Sequence, residues 1–104
     1  MSQSQSLYRQ QISIMERFDF ERVHKCMKAL NWKWRGEEPT IDDLKVKAEV
    51  LLTTATNRIH DEFFNQEGTW FSVSTGGFKA SMHMIGGDWR LMLEFIVEDE
   101  QGQL

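Results

Sequence analysis

Between Thr69 and Val97 the chain alternates apolar and polar residues, and the alternation is interrupted twice by a Gly-Gly pair, Gly76-Gly77 and Gly86-Gly87. A period of two marks strands with one buried face. Two-residue hairpin loops need positive φ, which glycine adopts without steric penalty. The stretch therefore reads as three antiparallel strands. With Gly86-Gly87 as a loop, Ile85 faces Asp88, and Met84, Met82, Ala80 and Phe78 face Trp89, Leu91, Leu93 and Phe95 on one apolar side. The opposite side then pairs His83 with Arg90, Ser81 with Met92 and Lys79 with Glu94. A three-residue loop would mix the two faces, and a slip by two would separate Lys79 from Glu94. With Gly76-Gly77 as the first loop, Val73 faces Ala80, Phe71 faces Met82, Ser72 faces Ser81 and Trp70 faces His83. The competing reading makes Gly76-Gly77 a bulge within one longer strand.

Upstream the period lengthens. Phe20, Val23, Met27 and Leu30 recur at helical spacing behind Asp19, a good N-cap, so a helix is expected from Phe20 to about Asn31. Thr40 opens a second and stronger helix, with Asp42 and Asp43 complementing its N-terminus and Pro39 placed to staple onto Leu44. Its apolar stripe runs through Ile41, Leu44, Ala48, Leu51, Leu52, Ala55, Ile59 and Phe63. About 25 residues at 1.5 Å each make a rod of roughly 37 Å, long enough for its end to project or to support self-association. Leu7 to Phe18 fits either a strand, through Ile12, Ile14, Phe18 and Phe20, or a helix, through Leu7, Gln11, Ile14 and Phe18. The expected fold is a two-layer α+β domain, two amphipathic helices packed on a three- or four-stranded antiparallel meander. Residues 1–10 are expected to be a disordered or frayed extension, 11–98 the single domain, and 99–104 a frayed acidic tail.

Composition narrows the function. A chain of 104 residues with 40% hydrophobic and 27% charged residues fits one globular core and leaves no room for a second. A net charge of −4 opposes double-stranded DNA as a partner, yet is too mild for an acidic mimic of DNA. No apolar run approaches the ~18–20 residues of a membrane helix, and the N-terminus lacks the pattern of a secretory signal. Cys26, the sole cysteine, excludes an internal disulfide and suits a reducing compartment, so a cytoplasmic location is expected. Cys26 itself reads as a small buried side chain.

Catalytic signatures are missing. The Gly-Gly pairs do not lie between a strand and a helix in phosphate-loop form, and no nucleophile elbow, CxxC or HExxH occurs. His24 and Cys26 are two apart on a helix and do not share a face. His60-Asp61-Glu62 reads as a solvated helix end. Neither a metal, a cofactor nor a catalytic residue is therefore expected. One constellation carries chemistry: Trp70, His83 and Arg90 form a row across the three strands, with Lys79 and Met92 on the same face. An aromatic plane beside an imidazole and a guanidinium can stack a base and contact a phosphate, or can anchor a protein interface. Of Trp32 and Trp34, one is expected to plug the core and the other to sit at its rim, so Trp34 joins the candidate binding set.

The run Phe18 to Trp34, FDFERVHKCMKALNWKW, resembles a segment of small bacteriophage and prophage accessory proteins. There a similar FDF…V-H-K-x-M…L-N-W-x-W run precedes a helix led by Pro-Thr. A Ser/Thr-Gly-Gly-Phe element and a short final strand follow. Pro39-Thr40, the Ser74–Phe78 run and Leu91 to Val97 match that plan, so the resemblance covers roughly residues 18–98. It implies a non-enzymatic accessory protein in the host cytoplasm that binds a host protein, with inhibition of a host defence system as one such role. The alternative is a binding module that sequesters a small nucleotide-derived signal on the aromatic and basic sheet face. A homo-oligomer is compatible with either.

Overall fold

A computed structural model describes residues 3–61 and 67–96. In chain order the elements are α1 (Gln3–Arg17), α2 (Phe20–Ala29), α3 (Ile41–Asp61), β1 (Trp70–Thr75), β2 (Phe78–Ile85) and β3 (Asp88–Phe95). The strands form one antiparallel sheet in the order β1-β2-β3, and the helices cover one of its faces. This is the expected α+β meander, with three strands and an additional helix.

The register is the one the alternation predicts at every pair, from Trp70 opposite His83 to Ile85 opposite Asp88. Gly76-Gly77 is a turn and not a bulge, because β1 and β2 are separate strands joined by Thr75 opposite Phe78. Inward residues alternate with outward ones along β2 and β3, so Phe78, Ala80, Met82, Met84, Trp89, Leu91 and Leu93 enter the core.

The helices begin and end where local chemistry directs. The amide of Arg22 donates to Asp19 Oδ1 at 3.0 Å, which satisfies a donor at the start of α2. That helix stops at Ala29, slightly short of the expected Asn31. Asn31 takes φ of 54°, while the amides of Trp32 and Asn31 donate back to Met27 O and Lys28 O, a Schellman closure. At α3, Thr40 and Asp43 cap each other reciprocally, with Thr40 N donating to Asp43 Oδ2 at 2.9 Å and Asp43 N to Thr40 Oγ1 at 3.1 Å. Leu44, Ala48, Leu52 and Ala55 are fully excluded from solvent, so α3 is the spine of the core. The side chains of Phe63, His60, Asp61 and Glu62 lie outside the described residues, as does the tail 99–104.

Two expectations need correction. The segment expected to fray through residue 10 is helical from Gln3, and it resolves the choice at residues 7–18 in favour of helix. Leu7 is buried in the core, with Ile14, Met15 and Phe18 packed against it. Gln10 also anchors the helix to the sheet: its Nε2 donates to Trp89 O at 2.9 Å and its Oε1 accepts from Leu91 N at 2.8 Å. A side-chain amide thus substitutes for a neighbouring strand at the Trp89–Leu91 stretch of the β3 edge. The second correction concerns Cys26, which is half-buried on α2 where a buried position was expected.

Candidate binding face

The sheet face away from the helices carries the candidate site. Parity along each strand places Trp70, Ser72 and Ser74 of β1 on it, with Lys79, Ser81, His83 and Ile85 of β2 and Asp88, Arg90, Met92 and Glu94 of β3. Residues flanking a two-residue loop form a hydrogen-bonded pair, and the pairs then alternate. Counting from Ile85–Asp88 makes His83–Arg90 a hydrogen-bonded pair, with Cα atoms about 5.5 Å apart. Counting from Thr75–Phe78 makes Trp70–His83 a non-hydrogen-bonded pair at about 4.5 Å, where side chains approach more closely. The row Trp70, His83, Arg90 is therefore contiguous.

Around it lies a hollow of about 330 Å³ lined by Trp70, Ser81, His83, Ile85, Arg90 and Met92. Trp70 is 64% exposed, Met92 57% and Ile85 46%, so three large apolar side chains stand in water on one face beside an imidazole and a guanidinium. Isolated apolar groups on a surface need no explanation, but a cluster of this kind makes the face a candidate for binding. Ile85 was not among the residues expected here, although its parity with His83 signals its place.

Lys79 lies on the same face at the other end of the strands, opposite Ser74 and Glu94. Trp34 does not join the row. Its Nε1 donates to Gly76 O at 3.2 Å, and Lys47 Nζ sits 4.8 Å from its ring centroid, so it is packed beside the first hairpin loop. Trp32 stacks near Phe95 at 5.2 Å and is half-buried, as is Trp34. Neither tryptophan plugs the core; Trp89, 1% exposed, has that role.

The second loop is held by a side chain. Glu67 Oε2 accepts from Gly86 N at 2.8 Å and Oε1 from Gly87 N at 3.1 Å. Both amides at the end of the sheet nearest the row are thereby occupied by an internal carboxylate. The carboxylate thus fastens the loop that joins the strands of His83 and Arg90.

A second feature was missed in the sequence. Val46 and Val50 of α3 are 62% and 59% exposed, and they line a groove of about 680 Å³ with Trp34, Leu51, Thr54 and Val73 beside the β1 edge. Their i, i+4 spacing outside the main apolar stripe was the available signal.

Among the described residues no helix is long and apolar enough to cross a membrane, and no group of three or more His, Cys, Asp or Glu side chains is placed to hold a metal ion. Comparison with protein-family models, with curated proteins and with solved structures found no match to this chain.

Proposed function

We propose that the chain is a non-enzymatic accessory protein of a bacteriophage or prophage, acting in the host cytoplasm by binding a host protein on its outer sheet face and so blocking a host process such as defence. The observation that carries the binding role is the uncovered face itself, with Trp70, Ile85 and Met92 exposed around His83 and Arg90. The phage setting rests on the resemblance of residues 18–98. Trp and Arg are the side chains that dominate protein interfaces when a partner desolvates them. Covering the exposed part of Trp70 removes on the order of 150 Å² from water, about 3–4 kcal/mol at ~25 cal/mol/Å². Trp70→Ala should therefore weaken a partner by about 100-fold.

The test is affinity capture from host lysate with the wild-type chain, Trp70→Ala and Arg90→Ala in parallel. A protein retained by the wild type and lost by both variants supports the reading. Recovery of the same proteins by all three, or of none well above micromolar concentration, rejects it. The 330 Å³ hollow also favours a second reading, capture of a small nucleotide-derived signal by stacking on Trp70 with Arg90 on its phosphate. Calorimetry with a nucleotide panel decides between them, since that reading requires heat that disappears in the same two variants.

A further inference from the structure

The two edges of the sheet are treated differently. On β3, Gln10 takes the outward C=O of Trp89 and the outward N–H of Leu91. On β1 the ladder alternation that starts at Thr75–Phe78 directs Phe71, Val73 and Thr75 toward β2 and leaves the N–H and C=O of Trp70, Ser72 and Ser74 facing outward. No described residue pairs with them. The strand, WFSVST, has no charge, proline or bulge, which are the usual protections of an exposed edge.

We infer that this edge pairs with the same edge of a second copy, joining the two sheets across a twofold axis. Antiparallel pairing of identical strands is the isologous arrangement that a C2 dimer requires. Outward-facing residues must lie opposite one another, and the register with the fullest overlap centres on Ser72. Ser72 then faces Ser72 of the other copy, and Trp70 faces Ser74. On the helix side Phe71 of each copy lies against Val73 of the other, at the mouth of the groove lined by Val50, Leu51 and Thr54. Aromatic and β-branched side chains are favourable cross-strand partners, and doubling an uncharged strand brings no like charges together. A six-residue strand with its neighbouring helix surface buries on the order of 1,000 Å² in total, the lower limit for a specific interface. The dimer is therefore weak and dissociates on dilution. This inference does not depend on the partner reading, because it rests on backbone pairing along β1, although Trp70, Ser72 and Ser74 also present their side chains to the outer face.

Sedimentation velocity of the full chain over a concentration series tests it. The expected result is monomer at low micromolar and dimer at high micromolar concentration. Because Ser72 faces itself, Ser72→Lys and Ser72→Asp should each weaken association by at least about tenfold, while an equimolar mixture of the two should restore a mixed dimer. Ser72 is exposed, and unchanged far-UV dichroism of each variant confirms that the fold is intact. A chain that stays monomeric at every concentration overturns the inference. So does association unaffected by either substitution, a mixture no tighter than its components, or association lost in Arg90→Ala and retained in the Ser72 variants.

Discussion

Alanine at Gly77 and at Gly87 should have very different costs, although the two glycines occupy the same position in their turns and have similar φ, 95° and 83°. Placing a side chain at positive φ costs about 1–2 kcal/mol, and this term is common to both. The surroundings differ. A Cβ on Gly77 would lie 2.6 Å from Phe95 Cε1 and 2.9 Å from Trp32 Cη2, whereas a Cβ on Gly87 meets nothing within 4 Å. Phe95 and Trp32 are themselves packed at 5.2 Å, and Phe95 rests on Phe78 at 5.2 Å, so neither ring can withdraw without disturbing the core. Overpacking of this kind adds about 1–3 kcal/mol. Gly77→Ala should thus cost about 2–5 kcal/mol and Gly87→Ala about 1–2 kcal/mol. Urea unfolding followed by far-UV dichroism measures both without relying on Trp32 as the probe. At a slope of about 1 kcal/mol/M, the steric difference alone separates the midpoints by about 1–3 M. Trimming Phe95 to Leu should make Gly77→Ala cheaper than it is in the wild type, a coupling that a double-mutant cycle reads directly. Equal losses at the two glycines, or no coupling to Phe95, would refute the packing of the first loop.

Three further outcomes follow from local contacts. Gln10→Ala removes both of its bonds to the β3 edge and should cost about 1–3 kcal/mol, with faster hydrogen exchange at the Leu91 amide as its specific mark. Thr40→Ala breaks the reciprocal cap of α3 and should lower stability by about 1 kcal/mol in the same urea titration. Arg35 has φ of 52° in the two-residue loop between Trp34 and Glu37, so Arg35→Asn should raise the thermal midpoint, because asparagine tolerates that conformation better.

The strands were legible because two independent signals agree on them. The alternation assigns faces, and the Gly-Gly pairs assign loops, so a single register satisfies both. The starts of α2 and α3 were legible for a similar reason: Asp19 and Thr40 are capping residues placed just ahead of apolar stripes. The N-terminal helix was only half legible. Its stripe, Leu7, Ile14 and Phe18, is diluted by Ser and Gln, and one of its contacts to the sheet is Gln10, a polar side chain that periodicity scores as solvent-facing. Trp34 misled for a related reason. Alternation with Trp32 separates two sides of an extended segment, but Trp34 reverses into a turn at Arg35-Gly36, and its ring is packed beside Gly76.

The placement of α1 also bears on the candidate face. A fourth strand or an N-terminal segment laid on the outer face would cover Trp70 and Met92. The N-terminal segment instead lies on the opposite side, with Leu7 in the core beneath the helices and Gln10 on the edge of β3. No fourth strand occurs among the described residues. Two of the internal ways to cover Trp70, Ile85 and Met92 are thus removed, and the exposed cluster surrounds the His83 imidazole and Arg90 guanidinium that hairpin pairing brings together. With the helix side packed and one edge fastened in part by a glutamine, the outer face and the β1 edge are the surfaces of the sheet that the described residues leave open. The two are separable by mutation because Arg90 lies on the face two strands from the edge, whereas Ser72 lies at the edge. If Arg90→Ala changes partner capture and Ser72→Lys changes only self-association, the surfaces act independently. If each substitution changes both, partner and second copy compete for one surface, and the division between face and edge fails.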